Sequence, residues 1–151
     1  MVALVLVGHS LELLHGLRAM LAQAAPGLLV GVAGGTDAGA LGTSAPLILD
    51  AVRSVLAASP EGAVVLLDLG SAALALELAL DDLEPSERAV VRVSRGALVE
   101  GAVRAAVEAS GGGSLVSVVS ASETPAGRDK LPDDWPVDGT APGGLAERPV
   151  R

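Results

Sequence analysis

The chain has 151 residues, half of them hydrophobic, with one Trp, no Phe, no Tyr and no Cys, and a formal charge of -8. That length suffices for one domain with its own core, which must be built from Ala, Val, Leu and Ile. An acidic chain without aromatic platforms is a poor nucleic-acid binder, and one without Cys has neither a disulfide framework nor thiolate metal ligands.

The first element is predicted at Ala3–Val7, a continuous apolar run of the kind found in strands covered on both faces. It is too short for a signal-peptide core and no basic residue precedes it. No stretch reaches the roughly 18 apolar residues of a membrane span, so the protein is expected to be cytoplasmic. A helix is expected over Leu11–Ala24, with Leu14, Leu17 and Leu21 on one face. Leu28–Ala33 reads as the second strand, followed by the Gly-rich loop Gly34-Gly35-Thr36-Asp37-Ala38-Gly39. Thr43 or Ser44 can cap the next helix, Pro46 is tolerated in its first turn, and Ile48, Val52 and Val55 should face inward.

Ala63–Leu67 reads as the third strand. Ser71–Leu80 follows as a helix apolar nearly all round, which implies burial on several sides. Ala89–Val93 reads as the fourth strand, with Arg92 placing it near an edge. Val99–Ser110 is the last clear helix, with Val99, Ala102, Val103, Ala106 and Val107 in helical register. Leu115–Val119 is compatible with a short fifth strand. Strand-helix alternation implies an α/β fold, doubly wound, with a mostly parallel sheet of four to five strands and helices on both faces.

Composition changes near Ser120. Residues 1–121 form the expected domain, and residues 122–151 read as a disordered Pro/Gly-rich tail in which apolar periodicity is lost. Trp135 would anchor any docking segment there, and otherwise should be solvent-exposed.

In open α/β sheets, ligands bind beyond the carboxyl ends of the strands, where strand order reverses. With the order 2-1-3-4, Gly8-His9-Ser10 after the first strand faces Asp68-Leu69-Gly70-Ser71 after the third. A carboxylate accepting from Nδ1–H fixes the imidazole tautomer and leaves Nε2 as a nucleophile. Helix starts at Ser10 and at Gly70-Ser71 offer N–H donors to an anion on Nε2. The set suits a phosphoryl group held on His9. Each piece has a plainer reading: Asp68 can cap a helix, and Gly34-Gly35 can be only a turn. His15 has no identifiable carboxylate partner and reads as solvated. Asp81-Asp82-Glu84 and Asp133-Asp134 lack a nearby His or Cys and read as surface, so no metal site is expected. There is no G-x-x-x-x-G-K-[ST], and no G-x-G-x-x-G after a strand. A flavin site lacks its aromatic stacking partners, and no cofactor is expected. A receiver-type domain would need acidic residues where Gly8-His9 stands, and a late lysine, whereas Lys130 is the only one.

Leu4-Val-Leu-Val-Gly-His9-Ser10, Gly42-Thr43, Leu67-Asp68-Leu69-Gly70-Ser71-Ala72 and Leu98-Val-Glu-Gly101 together resemble the mannose-type IIA domains of the sugar phosphotransferase system. The resemblance covers residues 1 to about 120 and is closer to the phosphotransfer subunit of phosphoenolpyruvate-dependent dihydroxyacetone kinase. It implies a phosphotransferase component in which His9 takes a phosphoryl group from the histidine-containing phosphocarrier protein. His9 would then pass it to ADP on the kinase's nucleotide-binding subunit, for use on dihydroxyacetone held by a third subunit. By matching position Asp68 would orient His9. Ser10, Gly34, Gly35, Thr43, Gly70 and Ser71 would form the phosphate-side and partner-side walls. The family's members are commonly homodimers, some with an exchanged C-terminal strand. The chain departs from the family's pattern at Arg95-Gly96, on the rim. Because it closes in a Pro/Gly-rich tail instead of further carrier domains, its donor is expected to be a separate protein. The alternatives are a sugar IIA component delivering phosphate to a IIB domain, and a regulatory module without transfer.

Overall fold

The computed structural model describes residues 1–125. Four strands, β1 (Ala3–Gly8), β2 (Val30–Gly34), β3 (Ala63–Leu67) and β4 (Val91–Val93), form one sheet. The helices are α1 (Leu11–Ala24), α2 (Ala45–Ala58), α3 (Ala73–Asp81), α4 (Pro85–Ala89), α5 (Leu98–Ser110) and α6 (Leu115–Glu123), and a 3-10 turn at Gly70–Ala72 leads into α3. The sheet order is β2-β1-β3-β4 and every pairing is parallel. This is a doubly wound α/β fold, with strand order reversing between β1 and β3.

The alternation of β1 explains its wholly apolar sequence. Val2, Leu4 and Leu6 join α1, α5 and α6 in one core, through Leu14, Leu17, Leu21, Ala102, Ala106 and Val118. Ala3, Val5 and Val7 point the other way, against Ile48, Val52 and Val55 of α2 and Leu76 and Ala79 of α3. Successive side chains of a strand leave on opposite faces, so a strand with helices on both has no polar positions. Ser10 caps α1 by accepting from the Leu13 N–H, and Ser44, not Thr43, caps α2 by accepting from Leu47.

Four expectations are corrected. Leu115–Val119 is not a fifth strand but the start of α6, capped by Ser114 and packed on α5. A short apolar run carries no periodicity that separates strand from helix. The inward face of α5 is also rotated. Ala102, Ala105, Ala106 and Ala109 are buried, while Val99 and Val107 are exposed. The small residues allow α5 to approach both the sheet and α6; Val103 packs at the edge of that core, and Val99 and Val107 are left outside. Helix α3 is not covered all round, since Leu74 and Leu78 are largely exposed. Finally, β4 is shorter than expected, because Pro85 and the Glu84/Glu87 capping box open a helical turn up to Ala89.

Helix α6 crosses the compositional boundary at Ala121. Ser122 is buried and donates to the Ser94 hydroxyl at 2.7 Å, just beyond β4. The Ser122 carbonyl lies against Gly96 and Gly101, where any Cβ would overlap it. Among the described residues no helix is long and apolar enough to cross a membrane. Residues 126–151, including Trp135, Lys130 and Asp133-Asp134, lie outside the described part.

Candidate active site

The switch point juxtaposes the residues that end β1 and β3. Val7 pairs with Leu67 in register, so the next turns, Gly8-His9 and Asp68-Leu69, leave the sheet side by side. Asp68 accepts three kinds of donor from this arrangement. The His9 backbone N–H reaches Oδ2 at 2.8 Å, the Leu69 N–H reaches Oδ1 at 2.7 Å, and His9 Nδ1 lies 3.1 Å from both oxygens. A carboxylate gathering N–H groups offers the ring only acceptors, so Nδ1 carries the proton and Nε2 the lone pair. The Ser71 hydroxyl lies 3.2 Å from Nε2 and donates to it.

Gly8 makes the pairing possible. A Cβ on Gly8 would stand 2.7 Å from Asp68 Oδ2 and 2.8 Å from its carboxyl carbon. Any larger residue there has to push the carboxylate off the imidazole. Gly34 plays the matching part on the other side, where a Cβ would meet the Leu11 backbone at 2.9 Å. Its absence lets the end of β2 close against the first turn of α1.

The side chain of His9 is 29 % exposed and that of Asp68 14 %. The Asp68 carboxylate is thus the more enclosed, and the imidazole opens outward. A cleft of about 170 Å³ lies over His9, lined by Leu11, Glu12, Gly34, Gly35, Thr36, Asp37, Gly39, Ala40, Leu41 and Leu47. Its roof is the loop after β2. Thr36 folds that loop by donating its N–H to the Ala40 carbonyl and accepting from the Ala40 N–H with its hydroxyl. Gly35 takes φ +82°, which favours glycine, and Gly42 donates to the His9 carbonyl at 3.0 Å.

The structure brings His9, Asp68, Ser71, Gly34 and Gly35 together as expected from the sequence. Gly70 begins the 3-10 turn that presents Ser71. Ser10 is tied to the N-cap of α1 and donates to Glu12 Oε2 at 3.2 Å. Thr43 is not among the residues lining the cleft; it stands between Gly42 and the cap Ser44. His15 is on the exposed side of α1. The sequence reading missed Glu12, Thr36 and Asp37. Thr36 and Asp37 were visible in the Gly-rich loop, and Glu12 in the first turn of α1, but nothing in one sequence fixes how a loop folds back.

An imidazole held at Nδ1 by a carboxylate thus stands at the switch point of a doubly wound α/β sheet. The chain belongs to the family described as PTS system fructose IIA component, which matches residues 3–119. Its relatives there include phosphoryl donor subunits of PEP-dependent dihydroxyacetone kinases. The one from Klebsiella michiganensis is 37% identical over 123 residues, and the one from Escherichia coli 35%. The match takes in 79% of this chain but 26% of either relative, so the chain spans about a quarter of their length. The corresponding subunit of a second such kinase from Listeria innocua is 34% identical, with 72% of this chain and 86% of the relative covered. A crystal structure of a protein of unknown function superposes with a TM-score of 0.71 at 30% identity, covering 82% of this chain and 95% of that one.

Proposed function

We propose that the protein is a phosphohistidine carrier, a phosphotransferase component that accepts a phosphoryl group on His9 Nε2 and gives it to the dihydroxyacetone kinase. The observation that carries this reading is the bracketing of one imidazole by Asp68 at Nδ1 and Ser71 at Nε2. The lone pair of Nε2 attacks phosphorus in line with the leaving nitrogen of the donor's phosphohistidine. The new N–P bond forms as the old one breaks, and the donor imidazole leaves. Asp68 keeps the proton on Nδ1 and stabilises the positive charge that spreads over the ring. The Ser71 hydroxyl, freed from Nε2, turns to a phosphoryl oxygen, and the N–H groups opening α1 face the same anion. Return of the group to an acceptor is the same displacement in reverse.

In this reading the donor is the histidine-containing phosphocarrier protein and the acceptor is ADP on the kinase's nucleotide-binding subunit. A dihydroxyacetone-binding subunit uses the product. The carrier works in the cytoplasm as a homodimer. The similarity to kinase phosphoryl donor subunits supports this acceptor. A second reading, delivery to a sugar IIB domain, is favoured by the family's own description as a fructose component. The experiment is direct. Purified protein labelled with phosphoenolpyruvate, Enzyme I and the carrier is offered each acceptor in turn. Discharge by the ADP-loaded kinase subunit supports the first reading, and discharge only by a IIB domain supports the second.

A further inference from the structure

His9 stands just past the sheet's ladder, since β1 pairs with β2 as far as Gly8 and with β3 as far as Val7. Backbone groups beyond a ladder need new partners, and here the loops after the two neighbouring strands supply them. Asp68, after β3, accepts the His9 N–H at 2.8 Å. Gly42, in the loop after β2, donates its own N–H to the His9 carbonyl at 3.0 Å. The first contact holds the φ side of the residue and the second its ψ side. Gly42 is in turn confined. Its φ of +146° lies where glycine is favoured, and a Cβ there would stand 2.7 Å from the Cγ2 methyl of Thr36. That methyl cannot swing away freely, because Thr36 is β-branched and its hydroxyl accepts the Ala40 N–H at 3.2 Å.

We propose that Gly42 is a positioning residue for His9. Its N–H completes the hold on the His9 backbone that Asp68 begins, and so delivers the imidazole to Asp68 at Nδ1 and to Ser71 at Nε2. The proposal rests on the reading of His9 as a phosphoryl carrier and adds what keeps its ring in place. With the carbonyl released, the His9 peptide can turn between β1 and the cap of α1, and it carries the ring with it. The contacts at stake are 3.1 Å and 3.2 Å long, so a small turn breaks them. The donor is a main-chain N–H, and a residue larger than glycine can present it only by leaving this φ or by displacing Thr36.

The test sets Gly42→Ala beside Gly27→Ala. Gly27 also has a positive φ, +85°, but a Cβ on it would meet open space, and it stands between α1 and β2, at the end of the sheet away from His9. Both variants strain a glycine backbone, and only the first displaces the donor to His9. Labelling from phosphoenolpyruvate through Enzyme I and the carrier should fall about ten- to a hundred-fold in Gly42→Ala, in kcat and not in KM for the carrier, and stay within about two-fold of wild type in Gly27→Ala, since misplacement by about 1 Å costs rate on this scale. Nitrogen NMR of the uncharged protein reads the ring itself. Wild type and Gly27→Ala should keep the proton on Nδ1, whereas Gly42→Ala should show a mixture of tautomers once the ring has left its carboxylate. Adding Thr36→Ser to Gly42→Ala removes the crowded methyl, keeps the hydroxyl and should recover part of the rate. This double variant also carries the comparison if Gly42→Ala alone does not fold. An undisturbed tautomer in the Gly42 variants, or an equal loss of rate in Gly27→Ala, overturns the proposal. If the carrier fails to label even the wild type, the carrier reading falls, and the tautomer comparison still decides the role of Gly42.

Discussion

His9 and Asp68, fifty-nine residues apart, touch twice: the backbone N–H of His9 and its Nδ1 both meet the Asp68 carboxylate, at 2.8 and 3.1 Å. The first contact fixes the chain after β1 and the second fixes the ring. An imidazole held at both its backbone and its Nδ1 has little freedom left, and Nε2 is aimed by the sheet itself.

Replacing Asp68 by Asn should preserve the fold, because the amide oxygen can still accept one backbone N–H. Its NH2 would face Nδ1 and favour the tautomer with the proton on Nε2. The same exchange in a catalytic triad lowers the rate about 10⁴-fold, and a loss of at least about ten-fold is expected here. Single-turnover labelling measures it. Unchanged rates in both charging and discharge would reduce Asp68 to a structural cap.

Ser71→Ala removes the hydroxyl that, among the described residues, is the side-chain donor to Nε2. Loss of a neutral hydrogen bond corresponds to roughly three- to ten-fold in rate. Ser71→Thr keeps the hydroxyl and should retain most of the activity. Equal behaviour of the two variants would show that the hydroxyl is a bystander.

Gly8→Ala places a methyl on the Asp68 carboxylate. Overpacking of this kind destabilises by about 1–3 kcal/mol, readable as a lower midpoint in urea. Labelling should fall further than stability, because the carboxylate moves off the ring. A variant as active as the wild type would mean that the tight fit at Gly8 is not what holds the pair.

Much of this was legible in the sequence. The wholly apolar β1 and β3 announced a sheet covered on both faces, strand-helix alternation implied that it is parallel, and the commonest order for such a sheet, 2-1-3-4, joins His9 to Asp68. The elements that misled were short or built from small residues. Leu115–Val119 was too brief to show a period, and the alanine face of α5 was outweighed on paper by its valines. Glu12 and Asp37 became visible only once the loop after β2 folded over the imidazole, a contact that no local pattern encodes.

The end of α6 gives a further test. A chain ending at Ser120 loses the buried Ser122–Ser94 hydrogen bond and the Glu123 contact with the Arg95 N–H. Those losses should destabilise it by about 1–3 kcal/mol relative to a chain ending at Pro125. Thermal melts of the two truncations measure the difference. Identical melting would show that the last turn of α6 contributes nothing.

The most direct measurement is the position of the phosphoryl group itself. Protein charged from phosphoenolpyruvate through Enzyme I and the carrier should bear one acid-labile, base-stable phosphate on His9, and nitrogen NMR should place it on Nε2. His9→Ala should abolish the label, and His15→Ala should leave it intact. Label retained without His9, or found on Nδ1, would contradict the account.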